Sequence, residues 1–218
     1  MNAEALRKKN TDAIRNIGLS PSLSLPRINE AAKLTRSAPE VSNRVLCMFI
    51  VGACAYGMDR RLGVDWLLRE GADSALEAKE TEFLDSHATD LLRMDPRRLA
   101  EMRFAIEGIW ALMWSASMVD DIDPRRNCSS SFHLMFPNPK KGDSSKKLCS
   151  RFIMRRQEEI IESLDLYYLL HSSARELCLR ESESEIDLPI PMYAIENRRR
   201  AIEWLTSDEL YWDISLDT

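Results

Sequence analysis

The sequence predicts a mostly α-helical protein: a single multi-helix, bundle-like domain over residues 1–218, with a nearly all-apolar central helix and at most a short β element. Apolar residues recur at helical spacing between identifiable caps, and alternating β patterns are almost absent. One stretch, "VLCMFIVGACAY" from Val45 to Tyr56, is apolar around its whole circumference and calls for other helices on every side. Seven glycines in 218 residues argue against a loop-rich all-β fold and against a phosphate-cradling glycine loop. A chain of this length buries roughly 70% of its unfolded surface in one core and needs no covalent staples.

The first helix runs through "AEALRKKNTDAIRNIG", with Leu6, Ala13, Ile14 and Ile17 on one side and Gly18 just past its end. Residues 19–34 read as an extended connector. In "SAPE", Ser37 caps the next helix, Pro39 sits in its first turn and Glu40 completes a capping box. A short helix with Trp66, Leu67 and Leu68 ends near Gly71, and "SALE" opens another through Ser74 and Glu77. "DPRR" starts a long helix with Asp95 as N-cap, running to about Val119. Residues 120–149, with three prolines, serine runs and "NPKKGDSSKK", form an irregular, basic, partly mobile loop. A second long helix spans about Ser150 to Arg180. An acidic linker "ESESEID", a proline-bounded "LPIP" and a last helix through "ENRRRAIEWL" complete the order. Phe132–Phe136 or Leu188–Tyr193 could supply the short strand.

The apolar run around Val45–Tyr56 falls short of the ~20 residues a spanning helix needs. "MNAEALRKKN" lacks the apolar core of an export signal. The five cysteines, Cys47, Cys54, Cys128, Cys149 and Cys178, are odd in number and form no C-x-x-C, so reduced thiols in the cytoplasm are expected. No cofactor or metal set is recognisable: H-E-x-x-H, G-x-S-x-G, P-loop and dinucleotide signatures are missing, and His87, His133 and His171 lie far apart. Net charge is −5, unevenly spread: nine basic residues stand against Asp143 from Pro124 to Arg156, and nine acids against Arg175 and Arg180 from Gln157 to Asp187.

Polar residues on the helix faces supply the candidate site. On the second long helix, Ile153, Ile160, Leu164, Tyr167, Tyr168 and Cys178 share one arc with His171 and Arg175 in its middle, while Asp165 falls beside Glu158, Glu162 and Glu176. His171 is either a general base or a core histidine satisfied by a neighbour. Glu107 projects onto the face of Trp110 and Trp114, to pair with Arg103 on its own helix or with Arg175 or Arg44 across the core. Unpaired, it would be a carboxylate in apolar surroundings, able to donate or accept a proton. In the last helix Glu196–Arg200 and Arg199–Glu203 are ion-pair spacings. Arg198, Arg199 and Arg200 could clamp a phosphate or carboxylate, or bridge to Asp213 and Asp217.

The runs "LTRSAPEVSNRVLCM", "FAIEGIWALMWSASMVDDIDP" with Cys128, "EEIIESLDLYYLLHSSAR", "IENRRRAIEWL" and "WDISLDT" together resemble a bacterial family known as domain of unknown function 4272, from about Leu34 onward. The chain departs from that pattern at "WSAS", where W-A-L-G is usual, at Cys128-Ser129, where C-D is usual, and at Ser172, where tryptophan is common. The resemblance implies a mostly helical cytoplasmic protein with no established activity. It marks Arg36, Ser37, Glu40, Arg44, Glu107, Asp165, His171, Arg175, Glu196, Arg198, Arg199, Trp212 and Asp213 as motif positions.

Two functional expectations follow. The first is a non-catalytic binding or interaction module, regulatory or partner-neutralising, using the surface around the 120–149 loop and its lysines Lys140, Lys141, Lys146 and Lys147 to hold a protein partner or a small anion. The alternative is an enzyme or small-anion binder with a pocket lined by Glu107, His171, Arg175 and an arginine of 198–200. Nucleic acid is not favoured, since aromatic interleaving stops at Phe132 and Phe136, and no membrane role is expected.

Overall fold

A computed structural model describes residues 3–22, 24–26, 28, 32–86, 94–180 and 188–217. The acidic linker at 181–187, His87 and part of the connector lie outside the described residues. Among those described there are nine α-helices and no strand, so neither anticipated β element forms: Phe132–Met135 is a 3-10 turn, and Ile190 leads directly into the last helix.

The helices are stacked in a simple order. α1 (Ala3–Asn16) packs on α8 (Gln157–Arg180), α8 on α9 (Met192–Trp204), and α9 on α6 (Ile106–Ser115). α6 packs on α2 (Ala38–Ala55), which also carries α3 (Arg60–Glu70), α4 (Ala78–Asp85) and α5 (Pro96–Phe104). α1 ends where Gly18 turns left-handed at φ 87° and Leu19 N–H returns to the Ile14 carbonyl. Asp165, read from the wheel as part of an acidic face, is buried under α1 instead: Arg7 Nε donates to its Oδ1 at 3.0 Å and Asn10 Nδ2 to its Oδ2 at 3.0 Å.

The Ser37–Glu40 capping box of α2 forms as the sequence suggests. Most of α2 is buried, including Val41, Val45, Cys47, Ile50 and Cys54. By length and composition α2 is apolar enough to cross a bilayer. The expectation that it is surrounded on every side needs correction, because Phe49, Gly52 and Ala53 are only half-buried and Tyr56 is exposed. These four positions follow i, i+3, i+4, i+7, a single uncovered stripe.

Three other boundaries differ from expectation. The cap of α4 is Glu77 with Glu80, while Ser74 lies in a 3-10 turn. The helix from Asp95 is divided at Ala105, whose ψ of −14° is shallow for an α-helix, so α5 and α6 meet α2 as separate rods. α8 begins at Gln157 because the preceding backbone is already engaged: Ile153 N–H donates to the Ala116 carbonyl and Arg155 N–H to that of Ser115. Ile153 and Cys178 are exposed, off the arc assigned to them.

The 120–149 segment is irregular but ordered by its own core. It contains 3-10 turns at Phe132–Met135 and Pro139–Lys141 and the single-turn α7 (Lys146–Cys149), with Ile122, Phe132, Phe136 and Leu148 buried. Glu70 Oε2 accepts from Ser145 N–H and from the Ser144 and Ser145 hydroxyls, and Trp66 Nε1 donates to the Asp143 carbonyl.

Gly108 is where α6, α9 and the C-terminal turn close together. A Cβ there would overlap the Tyr211 hydroxyl and stand 3.2 Å from the Asn197 carbonyl oxygen. Gly108→Ala is expected to destabilise by about 1–3 kcal/mol through overpacking. Tyr211 OH is buried without a hydrogen-bond partner. Tyr211→Phe should therefore cost little alone and recover most of the Gly108→Ala loss; a double-mutant cycle in urea measures that coupling.

Candidate functional site

Of the inward polar residues of the sequence, Arg44, Glu107, Asp165, His171, Arg198 and Arg199 are buried, and they fall into separate networks. In the first, Arg198 of α9 meets Glu107 in the opening turn of α6: Nε donates to Oε2 at 2.9 Å and Nη2 lies 2.7 Å from the same oxygen. Arg198 Nη1 donates to the Tyr167 hydroxyl and the Asp123 carbonyl, and Nη2 to the Arg126 carbonyl. Glu107 Oε1 accepts Cys128 N–H at 3.0 Å, and Tyr167 OH donates to the Ile122 carbonyl at 2.6 Å. Burial works to lower the Arg198 pKa, but Tyr167 and Glu107 outweigh it and hold the guanidinium above its ordinary value. Burial pushes the Tyr167 phenol up to about 12 and, helped by Glu107, the Cys128 thiol up to about 12. Neither is a ready nucleophile or base.

The second network holds His171. Arg199 Nη1 donates to His171 Nδ1 at 2.6 Å, which leaves the ring proton on Nε2, 3.8 Å from Glu196 Oε1. Arg199 also donates to Glu203 through Nε and to the Leu216 carbonyl, and lies over the Tyr168 ring. Burial lowers its pKa despite Glu203. In the third network Arg44 bridges Glu77 and Glu80, both on the α4 cap, and Glu77 accepts Tyr211 N–H and Trp212 N–H from the C-terminal turn.

Among the described residues, Glu107 and His171 thus fall in separate networks. Glu107 pairs with Arg198, not with Arg103, Arg175 or Arg44, and His171 belongs to a different network reached through the neighbouring arginine. Arg175 is half-buried, pairs with no carboxylate among the described residues, and opposes the charge of Arg199. Of the two helical pairs expected in α9, Arg199–Glu203 forms, whereas Glu196 turns toward His171 and Arg200 lies over the Trp212 ring. Asp213 and Asp217 pair with none of the three arginines among the described residues. No group of three or more potential metal ligands gathers among the described residues.

An apolar groove of about 720 Å³ runs along the uncovered stripe of α2. Phe49, Gly52, Ala53 and Tyr56 form its floor, and Ile106, Ile109 and the 132–140 segment form its walls. Phe49 stacks on Phe136 with ring centroids 4.1 Å apart at 7°, and Phe136 meets Phe132 edge-on. Arg103, Lys140 and His133 line it, and none of its lining residues among those described is acidic. Helical spacing held the signal for this floor, but in a helix apolar on every side the sequence does not say which stripe stays open. A charged hollow of about 660 Å³ between α4, α5 and α9 includes Arg97, Glu196 and Arg200, and a smaller one of about 290 Å³ lies beside Asp120, Asp121 and Asp123.

Among the described residues, fold and site together define an all-α domain with largely buried ionic networks and an apolar groove walled by an irregular segment. The chain belongs to the family described as domain of unknown function (DUF4272), which matches residues 6–214 of its 218. Comparison with curated proteins and with solved structures gives no match.

Removing one partner of a buried, hydrogen-bonded ion pair leaves the other charge uncompensated. Arg198→Met is accordingly expected to cost about 3–5 kcal/mol in urea unfolding, with hydrogen exchange rising first at 122–128. The Glu70 pin is pH-dependent. Burial alone would raise its carboxyl, but the Ser145 and Ser144 donors outweigh burial and hold it below the ordinary 4.5. A depressed folded value means the stabilisation is complete above 4.5 and is lost as pH falls through the lower folded value. Protection of the Ser145 amide, corrected for intrinsic exchange, should fall with acid in that window, and Glu70→Gln should abolish the step.

Proposed function

We propose that the protein is a non-catalytic binding module whose ligand-receiving surface is the groove between α2, α5, α6 and the 132–140 segment. The uncovered Phe49, Gly52, Ala53, Tyr56 stripe carries this reading. An apolar concavity of this volume with a few charged groups at its edge is the usual form of a small-molecule site. Leu134, 74% exposed, and Tyr56, 67% exposed, line it and carry its apolar surface out to solvent. Lys140, Lys141, Lys146 and Lys147 are all exposed on the same segment, which supports a preference for anionic over cationic ligands, whether a small molecule or an acidic partner. The enzyme alternative has less support, because Glu107 is held by Arg198 and the Cys128 N–H, while His171 is buried in a separate network with its Nδ1 taken by Arg199. A cytoplasmic setting fits five free thiols.

Gly52 provides the test. A Cβ there would meet only the Met102 carbonyl oxygen, at 3.7 Å, so a larger side chain enters the groove without disturbing the packing behind it. A neutral apolar fluorophore, N-phenyl-1-naphthylamine, is expected to bind the native protein, and Gly52→Leu to weaken it by roughly tenfold or more, about 1.4 kcal/mol. The melting temperature should hold or rise, since replacing a helix-interior glycine recovers up to about 1 kcal/mol. A folded Gly52→Leu protein that binds the fluorophore as tightly as the native one overturns the reading.

A further inference from the structure

We propose that the groove selects a small amphipathic carboxylate, an aliphatic or aromatic acid whose tail lies on the α2 stripe and whose anion is met by Arg103. This rests on the groove being the binding surface and adds the chemistry of its ligand.

Three observations point that way. The charged and titratable side chains along the groove are Arg103, Lys140, His133 and Tyr56, with no carboxylate among the described lining residues, so the side-chain charges an entering anion meets there are attractive. Arg103 is also pre-organised. Its Nε donates to the Ala55 carbonyl at 2.9 Å and its guanidinium lies over the Tyr56 ring at 5.1 Å, while no carboxylate pairs with it among the described residues. With Nε already committed, the two terminal nitrogens form the fork that suits a carboxylate, and holding the side chain beforehand reduces the ordering cost on binding. Ala55 is also the last residue of α2, the negative end of the helix dipole; the carbonyls of Gly52, Ala53 and Cys54 accept N–H groups of Tyr56, Met58 and Gly57, and Arg103 takes that of Ala55, which offsets the repulsion an anion would meet there.

The form of the groove restricts the remainder of the ligand. Phe49, Gly52 and Ala53 offer apolar surface, and the helix backbone beneath them is internally bonded, so it gives no ladder to an extended peptide. A volume of about 720 Å³ falls within the range for single small molecules. His133 Nδ1 is engaged with the Ser130 carbonyl, so its proton sits on that nitrogen and Nε2 is the edge left for solvent or ligand.

The experiment displaces bound N-phenyl-1-naphthylamine from the full chain with three probes of equal chain length: decanoate, decanol and decyltrimethylammonium. Decanoate should displace it at roughly tenfold lower concentration than either of the others, a gap that narrows as salt is raised. Arg103→Gln should close most of the gap between decanoate and decanol, and Arg103→Lys should restore part of it, as a point charge without the fork. Decanol equal to decanoate, or the cation binding best, overturns the carboxylate proposal while leaving the groove reading in place. An acidic amphipathic peptide that displaces the fluorophore where decanoate does not overturns it in favour of a protein partner. Failure of the fluorophore itself to bind the native protein removes both. The probe series on the native chain needs no substitution, so it decides even if an Arg103 variant folds poorly.

Discussion

A guanidinium fully enclosed by three helices governs how this chain is arranged. Arg198 sits at the meeting of α6, α8 and α9 with none of its side chain exposed, and a charge so placed costs several kcal/mol unless its donors are met. Helix side chains supply only part of what it needs, Glu107 from α6 and Tyr167 from α8. The rest comes from the carbonyls of Asp123 and Arg126, which belong to no helix. Satisfying one arginine therefore fixes the path of the chain from Ile122 to Cys128. That anchoring in turn delivers Phe132 and Phe136 to the edge of α2, and the groove wall is a downstream consequence of the buried ion pair.

The same logic explains why so many polar residues inside this protein are chemically quiet. Cys47, Cys54 and Cys128 have thiols pushed up to about 12, chiefly by burial, so they remain protonated at neutral pH. His171 has one nitrogen taken by Arg199. Burial raises the Glu80 carboxyl even beside Arg44, and Glu80 completes the α4 cap by accepting Glu77 N–H. These groups join helices to one another and to the C-terminal turn, while the uncovered stripe of α2 and the segment beside it form an open apolar groove.

Much of this was legible in the sequence, and the failures share a cause. Caps are local chemistry, so Ser37, Glu40, Asp95 and Gly18 were readable from their neighbours alone. The inward direction of His171, Glu107 and the last-helix arginines was readable because a helix of known period fixes which side chains share a face. Which helix occupies that face is a tertiary fact. Glu107 could therefore be expected to meet an arginine but not to meet Arg198, and Asp165 passed for a solvated acid until α1 was seen to cover it. The break at Ala105 and the late start of α8 were hidden for the same reason, since backbone groups far away in sequence decide them. In α2 the pattern itself is silent: a helix apolar on all sides gives no contrast by which an open stripe could be told from a covered one.

Glycine placement supplies the contrast that hydrophobicity does not. Glycine inside a helix costs about 0.5–1 kcal/mol relative to alanine, so each such position calls for a reason. At Gly63 a Cβ would crowd Ile50 Cγ2 at 2.8 Å and Cys54 Sγ at 3.1 Å, and at Gly108 it would overlap the Tyr211 hydroxyl. Packing accounts for both. At Gly52 no neighbour forbids a side chain; the single contact, at 3.7 Å, is ordinary van der Waals distance. The fold would be at least as stable with alanine or leucine there, yet the residue present is the one that keeps the floor of the groove clear. A stability cost borne where the scaffold does not require it, at the centre of the one apolar stripe α2 leaves open, is what the proposed binding surface would account for, since there the open space itself is what the ligand needs.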